Sequence, residues 1–463
     1  MRTSVSVRRD PKDAPGNGRD MPRQLPPPPE RNAALDNLRV AAMLLGLVTH
    51  GVLPYTATGL VRFPVRDATR HPAADAVYFA AHDFRMQLFF LLAGFAGASL
   101  VAKKGAAALV RNRLSRVAAP LAVAAVVAVP LMHLLVSRHT AARGISWNAG
   151  EAGGWVGPNF HLWFLYYLLL CTAAFLVARR FAPGRVVRGA DRVGRWLIGS
   201  QWKFPLLALA VIPVLWGMRA WWVESPNGWL PDVPVLAYYL GFFAAGVLLA
   251  RHRDLLPNIG RNWRGQLLAA NVLVLPLMLK LTISGNWVEE SPAPPPWLGA
   301  WKAVAIFLGG LYTWFMIAGL IGLFQRHFAE CTGRWKYLAG ASYWCYLAGF
   351  PVQAAVQVWF APIGWPIAVE FLLVNALTFG VLLITYELCV RRTWVGAMLN
   401  GKPSVERVTP VIVAARVAVP EPRLAVRPAP ADAPKPKPKA VPNRVGGVSP
   451  SGTGSTSVPA PRS

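Results

Sequence analysis

The sequence predicts an all-α protein: a polytopic transmembrane helix bundle of about ten spans with both termini in the cytoplasm. Three observations lead there. Hydrophobic residues make up 54% of the 463 residues, charged residues only 15%, and the mean hydropathy is +0.37. That is the balance of a membrane chain with polar tails, not of a soluble globule. Apolar segments recur along the chain at membrane-spanning length. Lys and Arg gather in alternate loops, as membrane topology requires. The net charge of +27 does not indicate nucleic acid, because the charge follows the loops and tails and no zinc-finger spacing or aromatic-basic RNA motif accompanies it.

Residues 1–34 are polar, basic and Pro-rich, with no apolar h-region, so they read as a disordered tail and not as a cleaved signal peptide. Ten apolar segments follow, near 35–56, 77–101, 115–136, 159–178, 204–222, 233–250, 265–283, 300–324, 337–360 and 365–390. The fifth and sixth are short and interrupted by Pro and Gly. Pro205, Pro213, Pro276 and Pro351 fall inside apolar segments, where a missing N–H introduces kinks that buried partners tolerate. The stretch 403–463 is Pro/Ala/Lys-rich and reads as a second disordered tail.

Charge sets the orientation. Residues 1–34 carry seven Lys/Arg, 103–116 five, 179–203 seven, 251–264 four, 326–336 three and the tail from Arg391 twelve. The remaining loops and helix ends hold only nine besides Arg39. The lipid bilayer is therefore the partner the sequence implies most directly, with the basic loops inside. Trp147, Trp155, Trp221, Trp222, Trp287 and Trp297 fall on the outer loops or their borders and read as interfacial anchors. Cys171, Cys331, Cys345 and Cys389 are scattered, with no CxxC pair, and read as small hydrophobes.

Arg39 and His50 stand inside the first apolar segment, LDNLRVAAMLLGLVTHGVLPY. Ionisable groups at membrane depth mark working sites. Eleven residues on a helix separate them by roughly 16 Å along the axis and about 20° around it. One helix face then presents Arg39 near the inner surface and His50 deep in the membrane. The second segment opens HDFRMQLFFLLAGF, with His82, Asp83 and Arg85, and the fourth opens NFHLWFLYYLL, with His161, Trp163 and Tyr166. On this topology both open outside, so His82 and His161 either join His50 in the outer half of the membrane or are ordinary interfacial residues. No HxxxH pair is present, so no metal site is expected. On the inner side, RNRLSRVAAP supplies Arg111, Arg113 and Arg116. Arg113 and Arg116, at i and i+3, share a helix face. They are either plain topogenic charge or an anion clamp for a phosphate-bearing ligand.

These motifs together resemble the integral membrane acyltransferase-3 family. Arg39-x10-His50 with Asp36 just before it is similar to its first-helix signature, HDFRMQLFFLLAGF to its second-helix motif and RNRLSRVAAP to the Arg-rich start of its third helix. HLWFLYYLL, YLAGASYWCYLAGFPVQ and YELCVRRTWVGAMLNGK are similar to segments of its glucan-modifying OpgC/MdoC subgroup. The resemblance runs from about residue 31 to 402 and makes 35–402 the acyltransferase transmembrane domain. It implies transfer of an acyl group from cytoplasmic acyl-CoA, a co-substrate and not a cofactor, to a hydroxyl of an extracytoplasmic carbohydrate such as periplasmic glucan. It implies the bacterial inner membrane, His50 as the catalytic histidine, Arg39 as its essential partner, Asp36 as support and Arg113 with Arg116 on the donor side. His82, Asp83, Arg85, His161 and Trp163 fall to the acceptor side. Two positions depart from the family pattern. Ala93 stands where Ser is frequent, and Ala348, Gly349 and Phe350 stand where a His often closes the Tyr-Leu stretch of the ninth helix.

The chemistry suits these residues. A sugar hydroxyl is a poor nucleophile near neutral pH, and a positioned imidazole that takes its proton contributes roughly 10²–10⁴ in rate. His50 acting first as acyl carrier is the other route. A transporter or flippase for a glycan or lipid precursor would also carry charges near the midplane.

Overall fold

The computed structural model describes residues 32–400 apart from 62, 144–159, 219, 227, 290–294 and 331. Both predicted tails, Trp147, Trp155 and Cys331 lie outside the described residues. All the described residues belong to one unit, Met1–Ser404.

Twelve longer helices carry the described part, besides the short turns over 253–259, with no strand among the described residues. They are α1 Ala33–Tyr55, α2 Pro72–Lys104, α3 Ala106–Ala142, α4 Trp163–Phe181, α5 Gly184–Gly199, α6 Lys203–Leu215, α7 Val233–Arg251, α8 Trp263–Glu289, α9 Leu298–His327, α10 Gly333–Phe360, α11 Ile367–Val390 and α12 Trp394–Asn400. Eight of them, α1 to α4, α7 to α9 and α11, are long and apolar enough to cross a membrane among the described residues. α10 has the length, 28 residues, but carries Gln353, Gln357 and several small or polar residues. α6 lacks it, since at 1.5 Å per residue it reaches only about 20 Å against the ~30 Å hydrocarbon core. The expected fifth span over 204–222 is therefore not a membrane-length helix. Pro205 and Pro213 each stand in the first turn of a short helix, where Pro is tolerated, and the chain turns out of helix after Leu215. Pro276 likewise opens a helical stretch directly after a π-turn, Ala269–Val274. Pro351 is inside α10 as expected, and Pro130 inside α3 was not singled out.

α2 is the spine, with most of its apolar stretch buried. It meets α7 through bare backbone. A Cβ at Gly94 would lie 2.0 Å from the Phe243 carbonyl oxygen, and one at Gly246 would lie 1.9 Å from that of Leu91. Small residues let membrane helices approach this closely where lipid gives no hydrophobic drive. α1 is held at both ends. At its start, Asn32 caps the Leu35 N–H at 3.2 Å, and Asn37 Nδ2 donates to the carbonyls of Phe328 and Glu330 at 2.9 and 3.0 Å. At its end, Gln353 and Gln357 of α10 donate to the carbonyls of Leu47 and His50, each at 2.9 Å. The polar residues that lower the hydropathy of α10 are thus the ones that clamp α1.

The two ends of the bundle differ. At the basic end α5 is pinned to the end of α7 by Arg251–Asp191 at 2.9 Å and Arg195–Asp254 at 3.1 Å, and Arg253 donates to Ser99 near the end of α2. At the other end three carboxylates are hydrogen-bonded: Asp75 accepts from Ala57 and Thr58, Glu370 from Tyr55, and Glu289 from Lys302 and Trp221. Trp221 is consequently a buried, hydrogen-bonded residue and not an interfacial anchor, whereas Trp287 and Trp297 are exposed. Cys171 and Cys345 are buried as expected; Cys389 is exposed, so its reading as a buried hydrophobe does not hold.

Candidate active site

The structure brings residues from α1, α2, α4 and α10 around one narrow cavity of about 50 Å³. His50 comes from α1, His82 and Arg85 from α2, His161 and Trp163 from the turn that opens α4, and Cys345, Tyr346 and Phe350 from α10. Five of the sequence-predicted residues therefore share one wall-to-wall space. A space of this size takes only a few water molecules.

Helical periodicity explains which α2 residues face it. His82, Arg85, Met86 and Phe89 follow the i, i+3, i+4, i+7 stripe. Asp83 is one step round the helix and points the other way, into a second small cavity with Gln87, Tyr238 and Thr313. Its backbone carbonyl accepts from Thr313 Oγ1 at 2.6 Å. Asp83 is buried there and does not line the cavity of the histidines.

Hydrogen bonds set the state of two of the three imidazoles. His82 Nε2–H donates to the Val223 carbonyl at 3.2 Å, and Tyr78 Oη–H donates to Nδ1 at 3.1 Å while its ring stacks on the imidazole at 4.8 Å. Both ring nitrogens of His82 are thus engaged by protein, which fits a positioning role better than proton transfer. His161 Nε2–H donates to the Leu347 carbonyl at 3.1 Å. Its Nδ1 then carries the lone pair and has no partner among the described residues. Tyr346 Oη–H donates to the His161 backbone carbonyl at 2.8 Å and fixes the turn that presents the ring.

His50 packs edge-on against Phe350, with centroids 4.8 Å apart, and Phe350 also meets His161 at 5.3 Å and Phe63 at 6.2 Å. This is the position where the expected histidine is missing. An apolar ring fills the space between two imidazoles, and Gly349 beside it lets α10 close on α1, since a Cβ there would lie 2.9 Å from Leu47 Cδ2. At the other departure, Ala93 contributes its carbonyl, which accepts from Arg113 Nη2 at 3.4 Å.

The remaining predicted residues lie towards the basic end. Asp36 stands in the first turn of α1, where a negative charge suits the helix dipole, and is half-buried. Arg39 is exposed and within electrostatic reach of Arg113. Arg113 and Arg116 do not share a face as simply as i, i+3 on an α-helix implies. The five residues Leu114–Ala118 form a π-turn, which widens the helix between them. The Arg116 carbonyl accepts from Tyr343 Oη–H, tying this turn to α10. Arg39 and His50 occupy one continuous helix, so the pair spans roughly 16 Å from the basic end to the cavity.

Sequence reading missed Gly46, Cys345, Tyr346 and Ser225, which also line the cavity. Gly46 sits one turn before His50, and Tyr346 one turn before Phe350, so the i, i+4 stripe was the available signal. Ser225 comes from a loop and offers none. No group of three or more His, Cys, Asp or Glu suited to a metal ion occurs among the described residues.

Known proteins resemble this chain over most of its length. The family model described as acyltransferase domain, acyltransferase-3, matches residues 32–388. The chain is similar to Glucans biosynthesis protein C of Salmonella gallinarum (strain 287/91 / NCTC 13346), 24% identical over 394 residues, covering 82% of this chain and 97% of the relative. It is also similar to Glucans biosynthesis protein C of Escherichia coli O81 (strain ED1a), 24% identical over 412 residues with the same coverage of each. No solved structure gives a significant match. With the family match covering residues 32–388, most of the helix bundle, the transferase reading stands and the transporter reading falls: the chain belongs to the acyltransferase-3 family and is an acyltransferase.

Proposed function

We propose that this enzyme moves a succinyl or acetyl group from cytoplasmic acyl-CoA to a hydroxyl of an extracytoplasmic carbohydrate, periplasmic glucan being the acceptor suggested by the names of its relatives. It would do so in the bacterial inner membrane with both termini and the basic end in the cytoplasm, an orientation supported by the alternation of basic loops. The observation that carries the proposal is the shared cavity: the His50 imidazole faces Arg85, His82 and His161 in a small space enclosed by four helices.

In the reaction so read, the acceptor hydroxyl oxygen attacks the thioester carbonyl carbon as the His50 imidazole takes its proton. The C–S bond breaks, and the thiolate of CoA leaves and recovers that proton. A C–O ester remains on the sugar. His161, with one nitrogen held by Leu347 and the other carrying a lone pair, suits an acceptor for a second hydroxyl hydrogen bond. His82 and Trp163 shape the wall. At the basic end Arg39, Arg113 and Arg116 suit the phosphates of CoA, because guanidinium groups bind phosphate through paired N–H donors. Asp36, three residues before Arg39 on the same helix, is placed to orient it. The π-turn gives Arg113 and Arg116 different bearings, which suits two phosphates better than one.

The test is direct. Purified enzyme is supplied with acyl-CoA and a glucan oligosaccharide, and CoA release is followed together with the mass of the glycan. Acceptor-dependent CoA release with a matching mass increase supports the proposal, and CoA retention with an unmodified glycan overturns it. Mass spectrometry of envelope glycans from a deletion strain and its parent identifies the acyl group and the natural acceptor.

A further inference from the structure

We propose that Arg85 is an anion site for the acyl group itself: its guanidinium holds the distal carboxylate of a dicarboxylic acyl chain while His50 works at the thioester end. This deepens the function proposed above and rests on it, and it moves Arg85 from the acceptor side, where the sequence put it, to the donor's acyl group.

The Arg85 side chain is 6% exposed. Among the described residues, its Nε and Nη1 atoms have no hydrogen-bond partner and no acidic side chain forms an ion pair with it. A cation taken out of water without a partner is costly, and proteins retain one where something arrives to match it. The cavity lining brings no carboxylate to match it: Asp83 faces the far side of α2. The fold nevertheless makes room for the guanidinium beside the catalytic histidine. Gly46 lies one turn before His50 on α1, and a Cβ there would come 2.9 Å from Arg85 Nη1. Bare backbone at that position lets the guanidinium rest against α1, one turn from His50 on the same cavity.

The chemistry of the ligand follows. A carboxylate presents two coplanar oxygens to the planar fork of a guanidinium. An oxyanion on the reacting carbonyl is the other anion this cavity could see, but it exists only during transfer and neutral donors suffice for it. A full buried charge is matched by a charge present in the bound ground state. An acyl group ending in a methyl has no atom to meet Arg85. A short dicarboxylic acyl group brings one, and its distal carboxylate takes no part in the bond changes, in which the acceptor C–O bond forms and the thioester C–S bond breaks.

The experiment compares succinyl-CoA and acetyl-CoA on full-length enzyme and on Arg85→Gln, Arg85→Lys and Gly46→Ala, with both binding and transfer measured. The wild type is expected to bind succinyl-CoA more tightly than acetyl-CoA. The succinyl-over-acetyl preference should fall about 10- to 100-fold in Arg85→Gln, in keeping with loss of a charge-assisted hydrogen bond, and partly recover in Arg85→Lys. Gly46→Ala, which displaces the guanidinium without removing it, should lower the same ratio and decides the matter should Arg85→Gln not fold. Equal loss for both donors, or a wild type that binds the two donors equally, overturns the proposal. Failure of any transfer to carbohydrate would instead sink the proposed function, while the binding ratio still judges Arg85.

Discussion

Replacing Gly246 by Ala should disable the enzyme from the far side of α2, without touching the cavity. The added Cβ would lie 1.9 Å from the Leu91 carbonyl oxygen, 2.8 Å from its carbonyl carbon and 2.9 Å from Phe95 N. All three are backbone atoms of α2, so no side chain can swing away. Ordinary contact begins near 3.4 Å, and relief therefore needs α2 and α7 to part by about 1.5 Å. Overpacking of this kind costs typically 1–3 kcal/mol. The displacement also shifts His82 and Arg85 relative to His50, and a misplacement of about 1 Å can cost on the order of 10²-fold in rate. Gly241, on the same helix, provides the control: a Cβ there meets nothing within 4 Å. Gly241→Ala should be neutral or stabilise by up to about 0.5–1 kcal/mol through reduced chain entropy. Thermal unfolding followed by size-exclusion fluorescence, with acyl transfer measured on the same samples, separates the two. If Gly246→Ala melts and turns over like Gly241→Ala, the close α2–α7 contact does not position the site and the reasoning fails.

Three further outcomes are expected. Arg113→Gln should raise the KM for acyl-CoA about tenfold or more, since a charge-assisted contact worth about 1.5–3 kcal/mol is lost, whereas His161→Gln should leave donor affinity nearly unchanged and weaken use of the glycan; the reverse pattern contradicts a two-sided site. Arg39→Lys keeps the charge and loses the planar fork, so most transfer activity should go, and full activity with Lys would mean that only charge is needed. Reporters placed after residue 402 and within 179–203 should read cytoplasmic, and reporters near Glu151 or Glu289 should read extracytoplasmic; an outside C-terminus would mean an odd number of spans.

The bundle was legible because long apolar runs have few alternatives to helix in a membrane. Apolar composition alone misjudged two elements. The run at 204–222 contains Pro205, Pro213 and Gly217, and the helix it forms stops at Leu215. α10 looks weaker by hydropathy than its role warrants, because Gln353 and Gln357 face α1 and not lipid. For the site, the convergence of His50, His82 and His161 could be inferred from the first helix ending, and the second and fourth segments opening, on the same side. Which neighbours join them depends on rotation about each helix axis. Periodicity separates Asp83 from Arg85 once one face of α2 is known to be the inner one, and that knowledge is tertiary. Gly46 and Tyr346 carry no chemical signal of their own; their meaning comes from what presses on them. The π-turn between Arg113 and Arg116 is likewise invisible in a sequence that reads as regular helix throughout.

The central claim is that His50 performs the chemistry, and His50→Ala tests it most directly. The variant should insert and elute like the parent, because Gln357 holds the His50 backbone carbonyl, and should melt only slightly lower for the lost ring contact with Phe350. It should bind acyl-CoA with near-normal affinity, since the basic end is untouched. Transfer to the carbohydrate should fall by at least 10²-fold, the lower bound for losing a positioned proton acceptor. Near-normal transfer by a well-folded His50→Ala protein would contradict the account, whatever the other residues of the cavity do.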